Sequence, residues 1–441
     1  SPDSKQVIIN AAQGNGDNNW YFPQLDTIDV GSGKLQSILK ADMQMKDPRW
    51  SPDGKYIAYI GGIMAGDLVG NSGDVYVIPA EGGRTRNLTP QMKATAYRLN
   101  WVAANRILFR DFVDGDIGLT EVDLQGEIKP LWRGAEFSAK GGWIEDIALT
   151  SGRKTSAVVL RSLDRPAEIW AGAIGAWKQI THVNQEVHPT PPRIESLHWT
   201  SDQWRIQGWL TYPRNYDPKR QYPMVVFIHG GPSGMVGAGC GGAFAAQGYF
   251  VLCPNFRGSA GFGEEFLRAD FRDFGYGDLR DILAGVNKVL ETLPVDRNRI
   301  GITGHSYGGY MSMWAVTQTN VFHASAASAG ISDWLSYVGE AGISNWVIPY
   351  FGVSIYDNRA IYARTAPMSY IKNVKTPTLI LVGAEDGECP ATQSIEFWNA
   401  LKSLGVKTRL VLYPNEGHAM SQGALRDRTL REIEWFNEYL K

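Results

Sequence analysis

Residues 304–309 read Gly-His-Ser-Tyr-Gly-Gly, between an apolar run that ends at Thr303 and a helix-forming stretch. G-x-S-x-G at a strand-to-helix junction is a nucleophile elbow. The small flanking residues let the chain bend sharply, which lifts the Ser306 hydroxyl clear of the strand and points a helix N-terminus at it. A serine hydroxyl is a weak nucleophile until a base takes its proton. Partners of such a serine follow it in the order acid, then histidine. Of the seven histidines only His418 lies after His323, in Tyr-Pro-Asn-Glu-Gly-His, just past a strand-like run.

The acid must lie between these two, at a strand end. Residues 378–382 form an apolar run into Gly-Ala-Glu-Asp-Gly-Glu, so Glu385, Asp386 and Glu388 compete. The acid would hold the imidazole tautomer and stabilise the imidazolium. The short side chain of Asp386 in a glycine-bearing turn is the easiest to fix, and the two glutamates then read as solvated loop charges. A developing oxyanion also needs preorganised N–H donors. His229-Gly230-Gly231-Pro232 follows an apolar run ending at Ile228. The backbone N–H groups of Gly231 and Tyr307 are the natural pair. His229 precedes the acid, in the wrong order for a base, and reads as structural.

Elements that could position these groups follow from the pattern. Residues 224–228 and 249–253 are apolar runs of the kind found in strands buried on both faces, and 299–303, 378–382 and 408–412 read as further strands. Residues 206–212 read as a further strand. Helical spacing covers 278–293, 307–318, 394–404 and 426–440. Strands alternating with helices predict a doubly wound, mostly parallel α/β domain over residues 194–441.

Residues 1–193 follow another pattern. Ser1-Pro-Asp-Ser-Lys returns as Ser51-Pro-Asp-Gly-Lys, and Trp50 before the second copy matches Trp101 before a decayed third. A fourth copy opens at Ser151. Each unit carries a further strand pair, at 74–78 with 85–88, 119–124 with 128–132, and 169–173 with 177–180. A period near ~50 with several strands per unit is the signature of propeller blades, none of which buries its faces alone. A β-sandwich is the simpler alternative. About four blades are expected, and the first copy has nothing before it to match Trp50.

Composition bounds the rest. Forty-three basic residues against 45 acidic ones give a net charge of −2, with no basic excess for nucleic acid and no polybasic run for a membrane. No apolar run approaches the ~18 residues of a membrane span, and no signal peptide is visible. Cys240, Cys253 and Cys389 are too few for a disulfide framework and carry no CxxC zinc pattern. They fit a reducing compartment or a periplasmic enzyme without disulfides. No metal or cofactor is expected.

Together these residues resemble the prolyl oligopeptidase family of serine peptidases, in its acylaminoacyl-peptidase and dipeptidyl-aminopeptidase branch. Residues 304–310 are similar to that branch's elbow, 255–263 (Asn-Phe-Arg-Gly-Ser-Ala-Gly-Phe-Gly) to N-x-R-G-S-x-G-[YF]-G, and 416–418 to its E-G-H. Residues 383–390 resemble G-x-x-D-x-x-V-P, which places the acid on Asp386, with Cys389 where valine is usual. The resemblance implies an N-terminal propeller before an α/β-hydrolase domain, hydrolysis of short peptides near their N-terminus, and a propeller that keeps folded proteins out. His-Gly-Gly-Pro implies a backbone oxyanion hole. Trp334, Tyr337 and Trp346 are candidates for an apolar substrate pocket, with packing as the alternative. The family's larger rings imply a further polypeptide carrying missing N-terminal blades, or a second copy of the chain. A carboxylesterase on the same triad, or a non-catalytic propeller binding module, are the competing functions.

Overall fold

The computed structural model describes residues 1–12, 14, 19, 23–40, 43–62, 73–138, 142–150 and 152–441. The chain divides into two compact units. One comprises Ser1–Ile194 with Gly237–Gly239 and Ala260–Leu267; the other comprises Glu195–Val236, Cys240–Ser259 and Arg268–Lys441.

Among the described residues the first unit holds four antiparallel sheets, each built from strands consecutive in sequence. They are β1 to β3 (Gln6–Ala11, Gln24–Asp29, Leu35–Lys40) and β4 to β7 (Gln44–Trp50, Tyr56–Gly62, Asp74–Pro79, Arg86–Asn87). The third has β8 to β11 (Thr95–Ala103, Arg106–Val113, Asp116–Asp123, Ile128–Arg133), the fourth β12 to β15 (Trp143–Leu149, Ser156–Ser162, Arg165–Ala173, Ala176–Gln179). These are propeller blades.

The sequence repeat is a turn with a physical reason for each residue. Ser51 Oγ donates to Asp53 Oδ1 at 2.7 Å and accepts from the Tyr56 N–H at 2.9 Å, while the Lys55 N–H donates to Asp53 Oδ1 at 3.2 Å. Ser1, Asp3, Lys5 and Gln6 repeat those bonds at 2.6, 2.8 and 3.2 Å. The turn joins the first strand of a blade to its second, so β1 corresponds to β5. Among the described residues β1 pairs only with β2, and its other edge is open. Ser151, which opens the fourth copy, lies outside the described residues.

Neighbouring blades bury each other's faces. Leu25 and Ile38 of the first pack with Met45, Ile57, Tyr59 and Ile78 of the second. Ala58, Ile60, Val75 and Val77 of the second pack with Leu99, Ile107, Phe109 and Val122 of the third.

The second unit is built on an eight-stranded sheet, β16 (Ile194–Ser201), β17 (Trp204–Thr211), β18 (Tyr222–Ile228), β19 (Phe250–Asn255), β20 (Val295–His305), β21 (Ala324–Ser328), β22 (Thr378–Gly383) and β23 (Thr408–Tyr413). The spatial order is β16-β17-β19-β18-β20-β21-β22-β23. β17 runs antiparallel to β19, and from β19 onward all neighbours are parallel. Its helices include α1 (Gly242–Ala246), α2 (Gly277–Thr292), α3 (Tyr307–Gln318), α4 (Trp334–Glu340), α5 (Ala391–Ser403) and α6 (Gln422–Leu440). This is an α/β-hydrolase sheet with α3 buried along nearly its whole length.

One expectation fails. Cys240 and Cys253 are joined by a disulfide. A single bond needs only two cysteines, and here it ties the loop before α1 to the centre of β19. Cys389 alone remains free, and it is buried. Among the described residues no helix is long and apolar enough to cross a membrane.

Candidate active site

β20 ends at His305, and Ser306 turns the chain into α3 with φ 62° and ψ −123°. That is a strained backbone for a residue with a Cβ. The bend brings α3 against β18 so closely that a Cβ on Gly304 would sit 2.5 Å from the Ile228 carbonyl oxygen, and one on Gly308 would collide with the same atom. Glycine at both positions is therefore a packing requirement of the elbow. As the first residue of α3, Tyr307 has an N–H without an intrahelical acceptor.

Asp386 lies in the turn after β22, buried, and its two oxygens have separate tasks. Oδ1 accepts from the N–H groups of Glu388 at 3.0 Å and Cys389 at 2.7 Å, which locks the carboxylate to its own loop. Oδ2 lies 2.8 Å from His418 Nδ1. Glu385 is exposed to solvent. Glu388 is not a solvated bystander, as its carboxylate comes within 3.7 Å of His418 Nε2. The loop that returns it past Asp386 is what brings it there.

Gly230 passes directly over the elbow serine: a Cβ there would lie 3.3 Å from Ser306 Cβ and 3.8 Å from Oγ. Gly231 follows with φ 120°. His229 supports this loop. Its Nδ1 is 2.8 Å from the Gly230 carbonyl, its Nε2 is 2.8 Å from Ser259 Oγ, and its ring stacks on Phe256 at 4.4 Å. Burial pushes its pKa down to about 4, so it is neutral. Ser259 Oγ also lies 2.6 Å from the Phe256 carbonyl oxygen. The 255–259 segment is pinned by Arg257, whose Nε and terminal nitrogen reach the buried Asp281 at 2.9 and 2.6 Å.

The Tyr307 side chain is fixed as well, since its hydroxyl donates to Asp278 of α2. Burial raises Asp278 to about 6, against the hydrogen bonds from Tyr307 and from backbone N–H groups that lower it. Nothing in the local sequence pointed to this support, 29 residues upstream.

Trp334, Tyr337 and Trp346 are all buried in one aromatic cluster. Trp346 Nε1 donates to Tyr337 Oη at 2.7 Å, and Phe274 stacks on Trp334 at 5.7 Å and on Tyr350 at 4.8 Å. Tyr350 reaches toward the loop after β18, its Oη 3.2 Å from Ser233 Oγ.

Cys389 is the other nucleophilic atom here, and Ser306 hydrogen-bonds it. Burial first, then the charges of Asp386 and Glu388, hold its thiol well above the usual range. A protonated, enclosed thiol is inert. Iodoacetamide at pH 7.5 is expected to leave activity and mass unchanged in the folded protein. One adduct is expected on the unfolded, unreduced chain, read by intact mass. Stoichiometric labelling of folded protein with loss of activity would overturn this. Among the described residues no group of three His, Cys, Asp or Glu side chains is placed to hold a metal.

A strained serine at a parallel-sheet elbow, with an acid-paired histidine at the next strand ends, defines a serine hydrolase site on an α/β-hydrolase sheet preceded by propeller blades. Residues 242–441 match the model of the prolyl oligopeptidase family. The chain is 27% identical to the uncharacterized peptidase YuxL of Bacillus subtilis across its whole length, covering 78% of that protein. It is 28% identical to dipeptidyl-peptidase 5 of Porphyromonas gingivalis over 93% of the chain but only 61% of that protein's length. The acylaminoacyl peptidase of Pyrococcus horikoshii superimposes with a TM-score of 0.80 at 26% identity, over 99% of this chain and 70% of that one.

Proposed function

We propose that this chain hydrolyses short peptides near their N-terminus, in the manner of an acylaminoacyl-peptidase or dipeptidyl-aminopeptidase. The observation that carries this is the 2.8 Å bond between Asp386 and His418 beside the elbow serine. Ser306 is the nucleophile, His418 the base and Asp386 the acid that orients it. His418 Nε2 takes the Ser306 proton as Oγ bonds to the scissile carbonyl carbon. The carbonyl electrons move onto oxygen, where the N–H groups of Gly231 and Tyr307 stabilise them. Collapse of that intermediate breaks the C–N bond, and His418 returns the proton to the leaving amine. Water, activated by the same base, then releases the acyl group from Ser306.

The relatives' names support a peptide substrate, whereas Trp334, Tyr337 and Trp346 are buried against one another and read as packing. Blocked and free peptide anilides compared with a simple ester separate the readings. Amide hydrolysis with a kcat/KM within about a hundredfold of the ester's is expected. Ester cleavage with no measurable amide cleavage would make the chain a carboxylesterase, and no labelling by a serine-directed phosphonate would make it a binding module.

The open edge of β1 motivates a partner proposal. A strand from another polypeptide, or from a second copy of the chain, would pair along that edge. An active, monodisperse species with the mass of one 441-residue chain would overturn it.

A further inference from the structure

The residue before the nucleophile carries a geometry that the mechanism above leaves unused. His305 closes β20, and its ring lies 4.7 Å from that of His418, tilted by 36°. Its Nδ1 has two neighbours. Arg428 of α6 places a guanidinium nitrogen 3.2 Å away, and Ser328 at the end of β21 places Oγ 3.0 Å away. A guanidinium has only donors. The Nδ1 lone pair must therefore accept, and the ring's one proton sits on Nε2. The ring also hydrogen-bonds the His418 backbone, and with Nδ1 accepting, that bond falls to the Nε2–H.

The charges around the ring agree with a neutral imidazole. Lost hydration, then the neighbouring His418 and Arg428, hold His305 well below the usual histidine range. Arg428 Nε lies 3.7 Å from Glu432, one turn on in α6, whose own carboxyl burial raises to about 7. On the far side of His418 stand Asp386 at Nδ1 and Glu388 near Nε2. A second proton on His305 would face Arg428 and is disfavoured.

We propose that His305 is a positioning residue for the general base. As an Nε2–H imidazole anchored by Arg428 and Ser328, it clamps the His418 backbone while Asp386 orients the His418 ring. The base loop, which follows β23, is thereby tied to α6 and to the ends of β21 and β20, two and three strands away across the sheet. Two restraints on one residue fix both where the imidazole sits and which way it points. This inference rests on the triad reading above.

Misplacing a catalytic group by about 1 Å costs on the order of a hundredfold. His305→Leu is expected to lower kcat about 30- to 100-fold with KM within about threefold, and to slow phosphonate labelling of Ser306 by the same factor. His305→Gln keeps a donor and an acceptor on one planar group, and kcat is expected to recover to within about fivefold of wild type. Arg428→Met leaves His305 in place but frees its Nδ1 to take the proton. It is expected to cost about tenfold in kcat, and it keeps the question answerable if His305→Leu does not fold. Ser306→Ala runs beside them. If Ser306→Ala is inactive while folded His305→Leu stays within threefold of wild type, the positioning role is wrong and the triad stands. Equal losses in the Leu and Gln variants, a loss confined to KM, or a wild-type kcat in Arg428→Met also overturn it. If Ser306→Ala keeps more than a tenth of wild-type activity, the triad reading falls and this role falls with it.

Discussion

Ser306→Ala is expected to lower kcat at least about 10,000-fold while the protein stays folded. The loss should be large because the serine supplies the bond-forming electron pair, for which an alanine methyl has no substitute. The fold should survive because the elbow is held by neighbours. The Ser306 N–H donates to the Ser328 carbonyl at 3.0 Å, the Tyr310 N–H donates to the Ser306 carbonyl at 2.9 Å, and neither bond uses the hydroxyl. Alanine bears the same φ of 62° at no greater steric cost than serine. Deleting the hydroxyl also removes the hydrogen bond to Cys389, whose thiol stays enclosed. KM should change little, since the oxyanion donors remain. Steady-state kinetics on a peptide anilide, with a thermal melt of the same sample, measure this. Retention of more than a tenth of wild-type turnover would assign the nucleophile elsewhere.

The elbow was legible because its chemistry demands glycine at fixed offsets, at positions where a Cβ has nowhere to go. The repeat was legible for a similar reason. Ser51, Asp53 and Lys55 close a turn by side-chain-to-backbone bonds, and few residue types can do that. β18 and β19 stood out as apolar runs because both faces of a parallel sheet are covered, whereas β21, beside the nucleophile strand, reads Ala-Ser-Ala-Ala-Ser and left no apolar run to read. β16 did not stand out. Ile194–Ser201 mixes polar and apolar residues at a sheet edge, where one flank has no partner and the apolar demand is weaker.

Properties of distance between remote residues left no local mark. The Cys240–Cys253 bond depends on the loop before α1 returning to β19, and three cysteines in a long chain do not announce it. Asp278 beneath Tyr307, and Ser259 and Phe256 beneath His229, belong to separate segments that the sheet order brings together. His305 read only as the variable residue of the elbow, because its partners Ser328 and Arg428 lie 23 and 123 positions away. Each was visible as a residue type, and none as a pair.

Asp386→Asn is expected to lower kcat by about 1,000- to 10,000-fold with little change in thermal stability. The two carboxylate oxygens explain why the effects separate. Oδ1 closes the turn by accepting from Glu388 and Cys389, and the asparagine carbonyl oxygen can take both bonds. Oδ2 accepts from His418 Nδ1 at 2.8 Å, and an NH2 group there can only donate. Nδ1 must then carry the lone pair and Nε2 the proton. An imidazole protonated at Nε2 cannot receive the Ser306 proton, so the base is present, correctly placed and in the wrong tautomer. The carboxylate charge that would stabilise the imidazolium is lost at the same step. Glu385→Gln and Glu388→Gln are the controls. Glu385 is exposed, so its variant should be indistinguishable from wild type. Glu388 lies 3.7 Å from Nε2, beyond hydrogen-bond reach, so neutralising it should change kcat less than about tenfold. The three amide variants, assayed side by side with melts at the same pH, give the order of losses. A larger loss in Glu388→Gln than in Asp386→Asn would move the orienting acid to the opposite side of the imidazole, and with it the face from which His418 must approach Ser306.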